Sequence, residues 1–249
     1  MRRVIILLLA VLCGYPIKAN SMVNDSIASS PSEHNFKPSE VMLPLTLMAT
    51  GALGFVEPMS TWRVDIRDNL QEWRGDHRIH VDDYIQYVPI ASIYGLSLLG
   101  AEAKHDYVDR TLELGVSYAA LGVLTNVMKY SIRTPRPDGS SRNSFPSGHT
   151  ATTFMGAELV RIEYGDESPW STVGAYTIAT GVAALRVYNN RHWFTDVVAG
   201  AGVGILCARI GHWMLPVTRR FMYNLTGMDA FVYPEVKEGG ASLGLSMRF

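Results

Sequence analysis

From Glu40 onward the chain alternates long uncharged stretches with short polar joints. The uncharged runs are Val41–Val56, Tyr84–Ala101, Leu114–Met128, Ser168–Leu185 and Val197–Ala208. Small residues recur within them at three- and four-residue spacing, as in Ala199, Ala201, Gly202 and Gly204, which suits helices packed at close range. A further helical run is predicted over Thr150–Arg161. No internal repeat and no alternating pattern interrupts this before the tail, so the core reads as all-α. In the tail, Leu243, Leu245, Met247 and Phe249 alternate with Ser242, Gly244, Ser246 and Arg248. That period of two predicts a strand, with a turn at Lys237 to Gly240 and a partner strand over Phe231 to Val236. The expected fold class is a helical bundle ending in a small β-hairpin.

The longest uncharged run has 18 residues, whereas a bilayer span takes about 20 predominantly apolar residues. Glu113, Glu158, Arg161 and Arg209 fall within or beside helical runs. These features predict a bundle that packs mostly against itself while resting on or dipping into a bilayer, with a polytopic membrane protein as the competing reading. The mean hydropathy of +0.07 is high for a water-soluble enzyme and low for a polytopic one. At the start of the chain, Arg2 and Arg3 precede the apolar stretch Val4 to Gly14, and Ala19 offers a small residue before a cut. Residues 1–19 are therefore read as a secretory signal, an uncleaved anchor being the alternative. Residues 20–38 are rich in Ser, Asn and Pro and read as a linker. With the signal removed, Cys207 is the only cysteine left, so no intrachain disulfide is expected. The cell envelope, on its periplasmic side, follows as the expected location.

A formal net charge of -1 supplies no global field for nucleic acid. Any affinity for anions has to come from a local cluster, and three short motifs provide one. Lys129 closes an apolar helix, and Arg136 follows in a loop punctuated by Pro137. Alone they are a basic helix end beside its own dipole; together they are two cations able to grip an anion, the Arg in two-pronged fashion. Next, Pro146–Ser147–Gly148–His149 precedes the predicted Thr150 helix, with Ser147 placed as its N-cap. Gly148 lets the backbone approach a ligand, and a helix start offers free N–H groups to a phosphate. His149 would stand beside that anion with a proton to give. Last, His192 and Asp196 lie four apart, a spacing that shares one helix face. Asp196 is then expected to accept the Nδ1–H of His192, leaving the lone pair on Nε2 free. Arg186 adds a third cation. This inventory suits phosphoryl transfer, which needs positioning and charge neutralisation more than covalent chemistry.

Between these, the segment from Trp62 to Asp83 is dense in Arg, Asp, Glu and His. It reads as a solvated helix and loop, a lid or recognition loop being the functional alternative. His77, His80, Asp82 and Asp83 are too loosely spaced to be read as a metal site, and no metal or other cofactor is expected.

In combination, Lys129-x6-Arg136-Pro137, Pro146-Ser147-Gly148-His149 and Arg186-x5-His192-x3-Asp196 resemble the tripartite signature of the type 2 phosphatidic acid phosphatase (PAP2) superfamily. Bacterial class A acid phosphatases and vanadium haloperoxidases share that superfamily. The resemblance covers about half of the chain. It implies a helical phosphatase domain over residues 39–228, followed by the tail at 229–249, with the site at the helix ends. It also implies that His192 attacks phosphorus, Asp196 orients it and His149 protonates the leaving oxygen. Lys129, Arg136, Ser147, Gly148 and Arg186 would hold the phosphate. One position departs from the family pattern: Leu185 precedes Arg186 where the signature usually has Ser, which removes one secondary hydrogen bond.

The motifs do not choose the leaving group. The apolar helices favour a lipid phosphate, and the stretches DDYIQYVPIASIYG and RPDGSSRNSFPSGHTAT are similar to envelope phosphatases that act on lipid A. The expected partner is thus a phosphorylated lipid at a membrane, lipid A first and its 4′-phosphate in particular. Undecaprenyl pyrophosphate and phosphatidylglycerophosphate are the alternatives. Nucleic acid is not expected as a partner, and no protein partner is predicted. A haloperoxidase using the same anion pocket and a non-catalytic protein that binds anionic lipids are the readings from other classes.

Overall fold

The computed structural model describes residues 37–226, 229–237 and 240–248. The expected signal over 1–19 and nearly all of the 20–38 linker lie outside these residues. Among the described residues the helices are α1 (Ser39–Ala52), α2 (Met59–Arg74), α3 (Asp82–Ile85), α4 (Val88–Leu98), α5 (Tyr107–Ile132), α6 (Gly148–Tyr164), α7 (Pro169–Tyr188) and α8 (Phe194–Thr226). A short 3-10 turn, Leu53–Phe55, closes α1. Most residues of the uncharged runs lie in these helices. Tyr84–Ala101 divides into α3 and α4, and the Leu114–Met128 run extends at both ends into α5.

Helix α6 sits at the centre, packed against α4, α7 and α8, while α8 also packs along α1 and α5. The small-residue stripe of α8 explains the closeness of these contacts. A side chain at Gly204 would come within 2.2 Å of the Ala151 carbonyl oxygen, and one at Gly200 within 2.7 Å of that of Ser147. Met155, Leu159, Val160, Val203 and Cys207 form the buried apolar centre.

The charges inside the apolar helices are paired with one another. Glu158 receives Arg161 at 2.8 Å and Arg209 at 2.5 Å, and the Tyr176 hydroxyl donates to it at 2.5 Å. Arg209 reaches Glu40 of α1 as well, at 3.2 Å. Charges paired within a bundle leave its outer face apolar. Two helices, Tyr107–Ile132 and Phe194–Leu225, are long and apolar enough to cross a membrane. Only 22% of the apolar window of α5 is buried in the bundle, and Val123, Val127 and Tyr130 point outward. The sequence predicts a bundle packed mostly against itself and resting on or dipping into a bilayer; α5 is the helix that leaves most of its apolar window exposed.

Helix α2 turns 86° away from α1 and has no buried residue. It crosses the bundle at the end where α5 and α7 finish and α6 and α8 begin. The tail forms the hairpin: β1 (Asp229–Lys237) pairs antiparallel with β2 (Gly240–Arg248), from Asp229 opposite Arg248 to Lys237 opposite Gly240.

Candidate active site

The last turns of α5 and α7 and the first turns of α6 and α8 meet at one end of the bundle. This brings the three motifs together. The Lys129 ammonium would lie 3.6 Å from a side-chain carbon placed at Gly148. The Ser147 amide donates to the Asp196 carbonyl oxygen at 3.1 Å, joining the second motif to the third. The amide of His192 donates to the Arg186 carbonyl oxygen at 3.3 Å. Asn190, at φ 59, makes the turn between them, a conformation Asn tolerates better than most residues.

Ser147 caps α6 as expected, accepting from the Thr150 amide. Its own amide is committed to Asp196, so the backbone donors left for an anion are those of Gly148 and His149, the first two of the helix. This narrows the expected set of N–H groups near Ser147.

The geometry around His192 departs from the sequence expectation. Helix α8 begins at Phe194, so His192 precedes it and shares no helical face with Asp196. The Asp196 carboxylate reaches back to the Trp193 amide at 3.0 Å, one half of a capping box. Nδ1 of His192 is 3.7 Å from Asp196, too far for a hydrogen bond. It donates instead to the backbone carbonyl of Ser144 at 2.8 Å. A carbonyl can only accept, so the proton is on Nδ1 and the lone pair on Nε2. The Ser144 hydroxyl donates to the Asp196 carboxylate. Ser144 thus stands between the two residues that were expected to touch. Burial, against the favourable pull of Asp196, pushes the His192 ring down to about 4, and Arg186 and Arg136 further disfavour its cation. At neutral pH this imidazole is uncharged.

Two acids from the 62–83 segment enter the site. Asp82 is buried and accepts from Arg186 Nη1 at 2.7 Å, and the Asn189 side chain donates to both Asp82 and the Ile79 carbonyl. Asp83 lies 2.9 Å from Nε2 of His149 and 3.4 Å from Arg186. Burial and the nearby Arg186 lower the pKa of His149, and the hydrogen bond to Asp83 opposes them. Arg186 is therefore no bare cation, and Asp82 and Asp83 belong to its charge balance rather than to a metal site with His77 and His80. Their adjacency just before an apolar helix was the available signal; nothing local tied them to Arg186. Arg136 is held through Asn143 at 3.0 Å, and Trp193 fastens the same loop by donating to the Pro135 carbonyl at 2.8 Å. From α2, the Arg63 and Arg67 guanidinium groups stack over the Trp193 ring at 4.9 and 5.3 Å.

A cavity of about 290 Å³ opens beside Gly148 and His149 and continues between α5 and the α3–α4 corner, along Tyr87, Tyr118, Leu121 and Thr125. The groove therefore ends at Gly148 and His149, with the Lys129 ammonium next to Gly148.

Residues 110–220 match the sequence model of the PAP2 superfamily. That segment belongs to the PAP2 superfamily. A lipid A 1-phosphatase of Porphyromonas gingivalis (strain ATCC 33277) is 38% identical over 175 residues, which cover 67% of this chain and 39% of the relative. The chain thus spans well under half the length of that curated relative. Among solved structures, Aquifex aeolicus LpxE aligns at 20% identity over 58% of this chain and 93% of its own, with a TM-score of 0.45. A transmembrane PAP2 type phosphatidylglycerolphosphate phosphatase of Bacillus subtilis aligns at 19% identity, 73% and 98% coverage and a TM-score of 0.47.

Proposed function

We propose that this PAP2 domain is a phosphatase that hydrolyses a phosphate monoester of lipid A through a phosphohistidine on His192. The observation that carries the reading is the neutral His192, its tautomer fixed by the Ser144 carbonyl, beside Arg136 and Arg186. Nε2 attacks phosphorus as the ester P–O bond breaks, and His149 passes its proton to the leaving oxygen. Lys129, Arg136 and Arg186, with the amides of Gly148 and His149, neutralise the equatorial oxygens. Water then attacks the phosphorus of the phosphohistidine while His149 takes back a proton, and inorganic phosphate leaves. A bound phosphate adds negative charge beside His149 and favours the protonated ring this step needs, with Asp83 as its second support.

The lipid substrate is supported by the groove leading away from His149 and by the open apolar face of α5. In this reading α5 and α8 lie in the bilayer, and the phosphate site faces the periplasm at its surface. The name of the 38% identical relative supports the 1-phosphate of lipid A over the 4′-phosphate expected from the flanking sequence. The test is phosphate release from purified lipid A by wild type and His192→Ala, with mass spectrometry of the lipid. Loss of the 1-phosphate with wild type alone is the expected result. Loss of the 4′-phosphate, or activity only on another phospholipid or an isoprenyl pyrophosphate, replaces the substrate and keeps the mechanism. Equal activity in both proteins removes His192 from it, and inactivity of both on every phosphate ester favours a binding protein.

A further inference from the structure

A second set of polar side chains enters the interior at the opposite end of the bundle. It centres on Glu113 of α5, sixteen residues before Lys129 and so about 24 Å away along the helix axis. His105 in the turn before α5, Glu113, and His212 of α8 each offer one ligand atom, and these atoms lie within 4.8 Å of one another. Oε1 of Glu113 is 2.5 Å from Nδ1 of His212 and 3.9 Å from Nδ1 of His105. From the end of α6, Glu163 puts Oε1 2.8 Å from the same His105 nitrogen, and its Oε2 accepts the His105 amide at 3.0 Å. The two imidazole rings meet edge to face with centroids 5.4 Å apart. Helix α8 approaches closely here because residue 211 is glycine: a side chain there would fall 2.5 Å from the Glu113 carbonyl oxygen.

Two carboxylates converging in a buried site repel unless something positive lies between them. The second oxygen of Glu113 is buried and makes no hydrogen bond among the described residues, and the residue is 1% exposed. It is a ligand atom held in the interior, with the Glu163 carboxylate as its neighbour. Two imidazoles with two carboxylates form a borderline set that suits zinc, whereas magnesium and calcium prefer oxygen alone. Ligand atoms about 2.1 Å from a tetrahedral ion are about 3.4 Å from one another, so the imidazole–carboxylate contacts of 2.5 and 2.8 Å have to open by about 1 Å or less to admit the ion.

We propose that His105, Glu113 and His212, with Glu163 beside His105 as the fourth donor, bind a zinc ion that ties α5, α6 and α8 together. The site is structural and lies apart from the phosphate pocket, so the phosphatase chemistry does not depend on its identity.

The test is elemental analysis of the full chain purified from zinc-supplemented culture, with cobalt titration of chelator-treated protein. About one zinc per chain is expected, together with the visible absorption of tetrahedral cobalt and a rise in Tm that saturates at one equivalent. Glu113→Gln, close to isosteric, should weaken zinc binding about a hundredfold. Brief exposure to EDTA should leave phosphate release unchanged while a prolonged incubation lowers Tm. The absence of stoichiometric zinc, together with no cobalt absorption and no shift in Tm, overturns the proposal and leaves a cluster sharing a proton. Immediate loss of activity in EDTA with Tm unchanged also overturns it, by moving the metal to the phosphate pocket.

Discussion

Replacing Asp82 with Asn should weaken the fold and strengthen anion binding at once. Asp82 and Arg186 form a 2.7 Å ion pair in which the side chains are 1% and 6% exposed. Removing one charge from a buried pair costs about 3 to 5 kcal/mol when the other is left uncompensated, and here only the half-exposed Asp83 at 3.4 Å remains to balance Arg186. Asn keeps an acceptor for the guanidinium, which points to the lower end, about 3 kcal/mol. For a chain of this size that corresponds to a Tm lowered by roughly 6 to 12 °C. The pocket meanwhile gains one net positive charge. A charge separated from a bound anion by one intervening guanidinium contributes on the order of 1 to 2 kcal/mol at an effective dielectric constant near 20, enough to tighten orthovanadate about tenfold. Thermal unfolding of wild type and Asp82→Asn with and without vanadate measures both effects. The variant should melt lower without vanadate and gain more from it than wild type does. A variant within about 2 °C of wild type, or one that vanadate stabilises less, would refute the view that Asp82 holds Arg186 in trust for the phosphate.

Two further outcomes are expected. His192 titrates at about 4 in the fold, against an ordinary value of 6.5, so between those values the unfolded chain binds the extra proton and the folded one does not. Stability should therefore fall as pH drops from 6.5 to about 4, by roughly 3 kcal/mol from this residue. Denaturant unfolding of wild type and His192→Gln checks it; parallel losses in the two proteins would discard the assignment. Gly204→Ala should cost about 1 to 3 kcal/mol by forcing α8 off the Ala151 carbonyl. Gly181→Ala on α7 meets nothing within 4 Å and should be neutral or stabilise by up to about 1 kcal/mol. Matching losses at both positions would mean that helix packing does not set the difference.

What was legible in the sequence was whatever depends on near neighbours. Helical runs follow from apolar patterning, the Ser147 cap from one side chain and an amide three residues on, and the hairpin from a period of two. The basic and His-bearing motifs were recognisable because residues close in sequence carry them. Even there, spacing misled: His192 and Asp196 lie four apart, yet the helix starts between them. The orienting acceptor is the carbonyl of Ser144, forty-eight residues away. Asp82 and Asp83 likewise meet Arg186 and His149 only because α2 folds across the bundle and returns the chain to its mouth. Glu113, Glu163, His105 and His212 come together where three helices cross. The sequence by itself determined the elements and the chemical inventory, since local backbone preference and hydrophobic period act over a few residues. Which acid faces which base was decided by the tertiary structure alone, because those pairings depend on helix crossings that glycine-lined contacts permit and no short window of sequence contains.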